Sequence, residues 1–337
     1  MVDSPQLTTT DAANILRTWA LDERLKSAVM GSPALASVAA RIARRYMAGD
    51  TIGEALDAAH ASVARGHNVS LEYTGESVRD AARAEAETEV FLRLIEAIGS
   101  VVLPNTGLPN TGLPNFELSS TVSFDLTHVG SLVDPALGLA NARRMAAATA
   151  PLPTAPLPTA LMISAEGSSR TDLILDTYDQ LSADYPHVGI TLQARLHRTP
   201  RDLDRVLERP GMIRLVKGAF LESESDAYAR DSTELHEAYL GLAKRLIESG
   251  HPVSIATHDL TLIEKIRDRH GAQLVGGEVE FEMLLGLGTA ALDKLHRAGL
   301  RTREYVAFGG EWWLYVLNRI AEEPERVFDA IVDAGGR

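Results

Sequence analysis

The 337-residue chain contains no cysteine. That absence excludes a disulfide scaffold, thiolate zinc sites, iron–sulfur clusters and a cysteine nucleophile. No apolar run approaches the ~20 residues that a membrane-spanning helix needs. The stretch Met1–Thr10 has neither a basic start nor an apolar segment, so no signal peptide is expected. Basic residues are in deficit, 33 against 46 acidic ones, a formal charge of −13. Such a balance argues against nucleic acid or an anionic membrane as the main partner. The ten histidines show no HxH or HExxH spacing, so no metal site is expected. No GxSxG elbow supports a serine nucleophile. The expected location is the cytoplasm, with peripheral attachment to the inner membrane as the alternative.

What is present is alternation. Residues 1–66 read as a helical segment. Ala36–Ala48 places apolar groups at helical spacing, and Thr51 opens another helix with Glu54 three residues on, a capping box that Gly66 ends. From residue 67 to 337, short β-prone segments alternate with helical stretches. The expected strands are Asn68–Tyr73, Thr121–Leu126, Ala160–Ser164, Val188–Gln193, Met212–Val216, Pro252–Ala256, Gln273–Glu280 and Glu304–Ala307. Between them, Ala81–Ile98, Thr171–Ala183, Ser232–Ser249 and Leu260–Arg269 are amphipathic. Eight β-α alternations fit a closed (β/α)8 barrel of the TIM type, class α/β. No GxGxxG follows the first strand, which disfavours a dinucleotide-binding open sheet.

Two repeats interrupt the pattern, LPNTG-LPNTG-LPN at Leu103–Asn115 and APLPT-APLPT-A at Ala150–Ala160. Proline in each unit forbids regular helix or central strand, so both are extended connections. The first has the form of a sortase signal, but it lies mid-chain with no following anchor and reads as a loop.

Barrel active sites form at the C-terminal ends of the strands. Polar residues expected there are Glu72, Glu76, Asp125, His128, Ser164, Glu166, Gln193, Arg214, Lys217, Thr257, His258, Glu280, Glu282 and Tyr305. Arg214 and Lys217 beside the small Gly218 and Ala219 suggest close approach of a planar or anionic ligand such as a flavin.

IRLVKGAF (Ile213–Phe220) closely resembles the RLVKGAY element of the proline dehydrogenase family. AGDTIGEAL (Ala48–Leu56), VSLEYTGESV (Val69–Val78), GITLQARLHRTPRDL (Gly189–Leu203), SIATHD (Ser254–Asp259), VEFEMLLG (Val279–Gly286) and YVAFGGEWWLYVLNRIAEEP (Tyr305–Pro324) follow in family order. The resemblance implies a flavin-dependent (β/α)8 barrel that binds FAD and oxidises proline to pyrroline-5-carboxylate by hydride transfer to flavin N5. It places Arg214 and Lys217 beside the isoalloxazine. Gln193, Thr257, His258, Glu282 and Leu284 match flavin-contacting or flavin-packing positions, with Gly218 and Ala219 in the same loop. Tyr315 resembles the tyrosine closing over the substrate ring, Arg319 an arginine holding its carboxylate, and Glu322 completes the YxxRRxxE pattern. Catalytic roles then fall on Arg214, Lys217 and Tyr315.

The departures cluster on the substrate side. Asn318 replaces the first arginine of that pattern, and SFDLTHVG puts Asp125 where the family has lysine in SVKLSxLG. Ser164 stands for an aspartate, and Phe220 for a tyrosine. The expected partners are a small amine or amino-acid substrate and an electron acceptor such as a quinone or oxygen. The altered residues favour a secondary amine, an N-substituted amino acid or a hydrazine as the alternative to L-proline. A flavin-binding or ligand-binding barrel without turnover, and a metal-dependent barrel lyase, are the other readings.

Overall fold

The structure, a computed structural model, describes residues 8–75, 77–100, 119–150, 159–230, 232–275 and 278–335. Glu76, the LPNTG repeat and residues 151–158 of the APLPT repeat lie outside them. The chain opens with four helices, α1 (Thr9–Ala20), α2 (Glu23–Met30), α3 (Pro33–Ala43) and α4 (Ile52–Ala64). Then strands and helices alternate: β1 (Asn68–Tyr73), α5 (Ala81–Ser100), β2 (Ser120–Phe124), α6 (Pro135–Ala148), β3 (Thr159–Ile163), α7 (Thr171–Asp184), β4 (Val188–Gln193) and α8 (Thr199–Val206). They continue with β5 (Ile213–Val216), α9 (Thr233–Ser249), β6 (Val253–Ala256), α10 (Leu260–Leu274), β7 (Val279–Leu284), α11 (Thr289–Arg297), β8 (Arg301–Phe308), α12 (Trp313–Glu322) and α13 (Arg326–Ala334). All neighbouring strands pair in parallel, and β8 returns to β1, closing the barrel.

Local chemistry explains the boundaries. Thr51 accepts from the Glu54 amide while the Glu54 carboxylate accepts from the Thr51 amide, the reciprocal cap expected from TIGE. Gly66 follows α4 with φ +90°, and a Cβ there would lie 2.5 Å from the His296 ring, so only glycine fits this turn. The helix expected at Ala36–Ala48 begins earlier, because Pro33 occupies its first turn, where a missing N–H costs nothing, and it stops at Ala43.

The seventh strand is displaced from expectation. It runs Val279–Leu284, not Gln273–Glu280, because α10 continues to Leu274 and buries Leu262, Ile263, Ile266, His270 and Leu274 on one side. The β-branched and apolar residues around 275 suggested a strand, but the helical stripe sets the structure.

The main core lies between the sheet and its surrounding helices, where outward-facing residues such as Leu71, Val122, Phe124 and Leu215 are 0–1% exposed. A second cluster joins Leu16, Tyr46 and Met47 to Trp312, Trp313, Val316 and Ile320. Arg17 donates to the Ala321 carbonyl (3.0 Å), and the Trp313 indole donates to that of Trp19 (3.0 Å). The N-terminal helices therefore brace α12, which carries Tyr315, Asn318 and Arg319.

Candidate functional site at the mouth of the barrel

Side chains alternate across a strand, and here the inward set is polar. Lowest in the barrel, Arg303 of β8 and Glu280 of β7 form a buried ion pair. Arg303 also donates to the Val69 carbonyl (2.6 Å) and Thr121 Oγ1 (2.9 Å), and Asn68 Nδ2 donates to Glu280 Oε2 (2.6 Å). One tier up, Arg214 Nε donates to Glu282 Oε2 (2.7 Å), Nη1 to Ser123 Oγ (3.1 Å) and Nη2 to Ser70 Oγ (2.8 Å). Ser254 Oγ adds a 2.5 Å bond to Glu282 Oε2. Burial opposes the Glu282 charge, yet Arg214 and Arg303 outweigh it and hold the carboxyl below its ordinary range. Buried pairs persist when hydrogen bonds meet most of their remaining valences, and the serine and threonine hydroxyls meet several of them, with Glu282 Oε1 left unpartnered.

At the top tier, the Tyr305 hydroxyl donates to Glu72 Oε2, and Ser164 Oγ donates to Glu72 Oε1 (3.4 Å). The Arg214 guanidinium lies 5.1 Å from the centre of the Tyr305 ring. Burial, then the Glu72 charge, pushes the Tyr305 phenol well above its ordinary value, so it remains a hydrogen-bond donor. Glu72 thus connects β1, β3 and β8 at the rim.

The ends of β4 to β7 form the other side. Gln193 Nε2 donates to the Glu166 carbonyl (2.8 Å). After β5, Lys217 pairs with Asp259 (2.7 Å), which also meets His236 Nε2 (3.0 Å). Burial opposes the Asp259 charge, but Lys217, the Leu262 amide and His236 bring its pKa down to about 2. The loop at Gly218, Ala219 and Phe220 is held by its carbonyls: Arg230 Nη2 donates to Ala219 (2.6 Å) and Phe220 (2.5 Å), Arg195 Nη1 to Phe220 (2.7 Å). Gly218 has φ +112°, and a Cβ there would lie 3.0 Å from Gln193 Oε1.

His258 is half-buried beside Leu284, whose amide donates to its Nε2 at 3.0 Å. An accepting Nε2 places the proton on Nδ1 of a neutral ring. Burial, followed by the charges of Arg319 and Arg326, lowers its pKa to about 3. The Thr257 hydroxyl accepts from the Asp259 amide (3.1 Å). On α12, Arg319 pairs with Glu322 (2.7 Å) and lies 5.2 Å from the Tyr315 ring centre, while its Nε is buried with no hydrogen-bond partner.

The expected set is therefore divided by depth. Glu72, Ser164, Gln193, Lys217, Thr257, His258, Glu282, Leu284, Tyr305, Tyr315 and Arg319 belong to the upper barrel and rim. Asp125, one residue past β2, continues the inward alternation of Thr121 and Ser123. Glu280 does not share this site, because it lies in the lowest tier with Arg303. His128 also lies apart: it stacks on Tyr73 with ring centroids 5.2 Å apart and contacts Glu87 at 3.3 Å, outside the sheet. Sequence reasoning missed Asp259, Arg195 and Arg230, which position the site through Lys217 and through backbone carbonyls. It also missed Arg303. A charged residue in the inward register of a strand was the available signal for Arg303.

The closed parallel barrel and its polar rim define the class, a (β/α)8 protein with its chemistry at the C-terminal strand ends. Within that class, the chain belongs to the proline dehydrogenase family, whose model matches residues 55–323. It is 29% identical over 266 residues to proline dehydrogenase 2 of Bacillus subtilis, covering 78% of this chain and 80% of that protein. With the proline dehydrogenase of Deinococcus radiodurans it shares 29% over 289 residues, covering 84% and 86%. The solved structure of proline utilization A from Bdellovibrio bacteriovorus superposes with a TM-score of 0.77 at 17% identity, over 94% of this chain. This chain spans 37% of that longer protein, and the likeness is one of fold. The homologues are oxidoreductases acting on the CH–NH group of proline. Among the described residues, no helix is long and apolar enough to cross a membrane, and no cluster of metal-binding side chains occurs.

Proposed function

We propose that this chain is an FAD-dependent oxidoreductase that oxidises the CH–NH bond of a secondary amine or amino acid, with oxidation of L-proline to pyrroline-5-carboxylate as the reference reaction. The observation that carries the reading is the convergence of Gln193, Lys217, Gly218, Thr257, His258 and Leu284 at the ends of four adjacent strands. These residues fit a flavin. The strand end at Gly218 has no side chain to obstruct a flat ring. His258 offers a neutral Nδ1–H donor, and the three bonds of Arg214 leave two of its five N–H groups for a ligand. When bound there, a flavin would supply the two-electron acceptor for hydride from the carbon beside the amine nitrogen.

The chain's own residues have three tasks. Arg214 and Lys217 present positive charge where the reduced cofactor is anionic. Tyr315 covers the substrate, and Arg319, with its unpartnered Nε, binds the carboxylate. Glu72 and Tyr305 form the polar rim against which the amine is oriented. The N-terminal helices brace α12, and the strands and helices from β1 onward form the flavin-binding barrel. A quinone or oxygen serves as the final acceptor, in the cytoplasm or at the inner face of the membrane. The test is direct: purified protein should carry flavin released on denaturation as FAD, and its absorbance should bleach anaerobically when amine is added. Protein without flavin after growth in riboflavin-sufficient cells, and unable to bind added FAD, refutes the proposal.

A further inference from the structure

We infer that the mouth selects a substrate carrying a second cationic group, received by Glu72 with Asp125 as the neighbouring negative charge. This rests on the proposed amine-oxidising function of the same site. Three cations of the upper barrel each face their own carboxylate: Arg214 with Glu282, Lys217 with Asp259, Arg319 with Glu322, all at 2.7 Å. Glu72 has no such partner among the described residues. It is half-buried, and its two oxygens receive only the neutral hydroxyls of Tyr305 and Ser164. A carboxylate has about four lone-pair positions, so two hydroxyls leave capacity for further donors. Arg214 and Arg319 act on Glu72 only through space, so a partly buried carboxylate whose hydrogen bonds all come from neutral groups still gains from a cation in direct contact.

A separate observation points the same way. Glu282 is 2% exposed and Thr191 is 7% exposed, yet Glu282 Oε1 and Thr191 Oγ1 are buried with no hydrogen-bond partner. Both residues belong to the inward set, and Glu282 Oε1 is a carboxylate oxygen with unfilled acceptor capacity that an ammonium N–H can meet. Asp125 extends the negative pole. Ser123 is the register partner of Glu72, and Asp125 lies two residues further along the chain, one past the end of β2, about 7 Å at strand rise. Phe124 and Leu126 on either side of it pack outward in the core, so Asp125 takes the inward position. Arg319 keeps a buried donor for one carboxylate. The substrate so described is a cyclic or N-substituted amino acid with an additional protonated amine.

The experiment uses the holoenzyme, reduced with dithionite under anaerobic conditions so that binding is read without turnover. Titration calorimetry at pH 7 compares cis-4-amino-L-proline, L-proline and cis-4-hydroxy-L-proline. The expected result is binding of the amino compound at least tenfold more tightly than either neutral-ring probe. Glu72→Gln, whose carbonyl oxygen can still accept from Tyr305 while its amide donates to the Ser164 hydroxyl, should lower that ratio about tenfold, and Asp125→Lys should shift preference toward L-proline. Melting temperatures near that of the wild type establish that both variants are folded. Equal or tighter binding of L-proline by the wild type overturns the inference, as does a preference that survives both substitutions, or no binding of the amino compound. If the protein takes up no flavin, the same titration on the protein as purified still reads the preference, and only the proposed oxidation is lost.

Discussion

Arg214 and Glu282 form an ion pair at 2.7 Å across the inside of the barrel, with the two side chains 5% and 2% exposed. The pair ties β5 to β7, and through Ser70 and Ser123 the same guanidinium reaches β1 and β2. Removing one partner strands a buried charge, so Arg214→Ala should destabilise the fold by about 3–5 kcal/mol. It should also slow flavin reduction, because the guanidinium that faces both Tyr305 and Glu282 is lost. Chemical denaturation checks the first effect and anaerobic stopped-flow absorbance the second. Unchanged stability would show that Glu282 finds another partner, and unchanged reduction would remove Arg214 from the chemistry.

Stability should fall as the pH drops from about 6.5 towards 3. His258 has its pKa lowered to about 3, so in this window the unfolded chain binds a proton that the folded chain does not. Linkage then makes stability rise with pH across the window. His67, His187 and His296 are lowered as well, each chiefly by burial, and add in the same direction. Glu87, held at about 2 mainly by its bond to His128 against burial, extends the loss below the ordinary carboxylate range. His258→Gln keeps an acceptor for the Leu284 amide but cannot titrate. Its unfolding free energy, measured from pH 7 to 4, should show a shallower slope than the wild type; an identical slope contradicts a neutral His258.

Gly218→Ala should impair the site more than its small volume suggests. With φ +112° the backbone conformation is one that residues with a Cβ adopt at a cost of about 1–3 kcal/mol. The new methyl also lies 3.0 Å from Gln193 Oε1. A lowered melting temperature together with loss of bound flavin is expected. Full flavin content with normal stability would mean that the loop relaxes away from Gln193.

Releasing the Gly218–Phe220 loop should separate positioning from chemistry. Arg230→Met removes donors to the Gly218, Ala219 and Phe220 carbonyls without touching the rim side chains. Flavin affinity should fall about tenfold, in proportion to one or two lost charge-assisted bonds, while the barrel remains folded. Equilibrium dialysis against FAD provides the measurement, and unaltered affinity would assign the loop's order to Arg195 alone.

The sequence disclosed the frame of this molecule more readily than its interior. β1 and β4 fall at the expected residues because their apolar runs are short and bounded by turn signals, and the Thr51–Glu54 cap was legible from its spacing alone. β7 was misplaced because the apolar residues around 275 read as strand although α10 runs on to Leu274, and VEFEML itself carries glutamate at alternate positions. In the barrel those glutamates face inward, where Arg303 of the next strand neutralises Glu280 and Arg214 of β5 neutralises Glu282. Arg303 was missed although its place in the inward register of β8, beside Glu280 of β7, was a signal carried by the sequence. The rim residues on strand ends were visible as a set. Asp259, Arg195 and Arg230 were not, since they act by holding another side chain or a backbone carbonyl.

The central claim is that the rim of this barrel holds a flavin that removes hydride from a CH–NH carbon. Anaerobic titration of the purified holoenzyme, followed by flavin absorbance, tests it most directly. The account predicts stoichiometric bleaching by an amino acid with a secondary amine, slowed in Arg214→Ala. A fully loaded flavoprotein whose absorbance is unchanged by L-proline and by every secondary amine offered would contradict it.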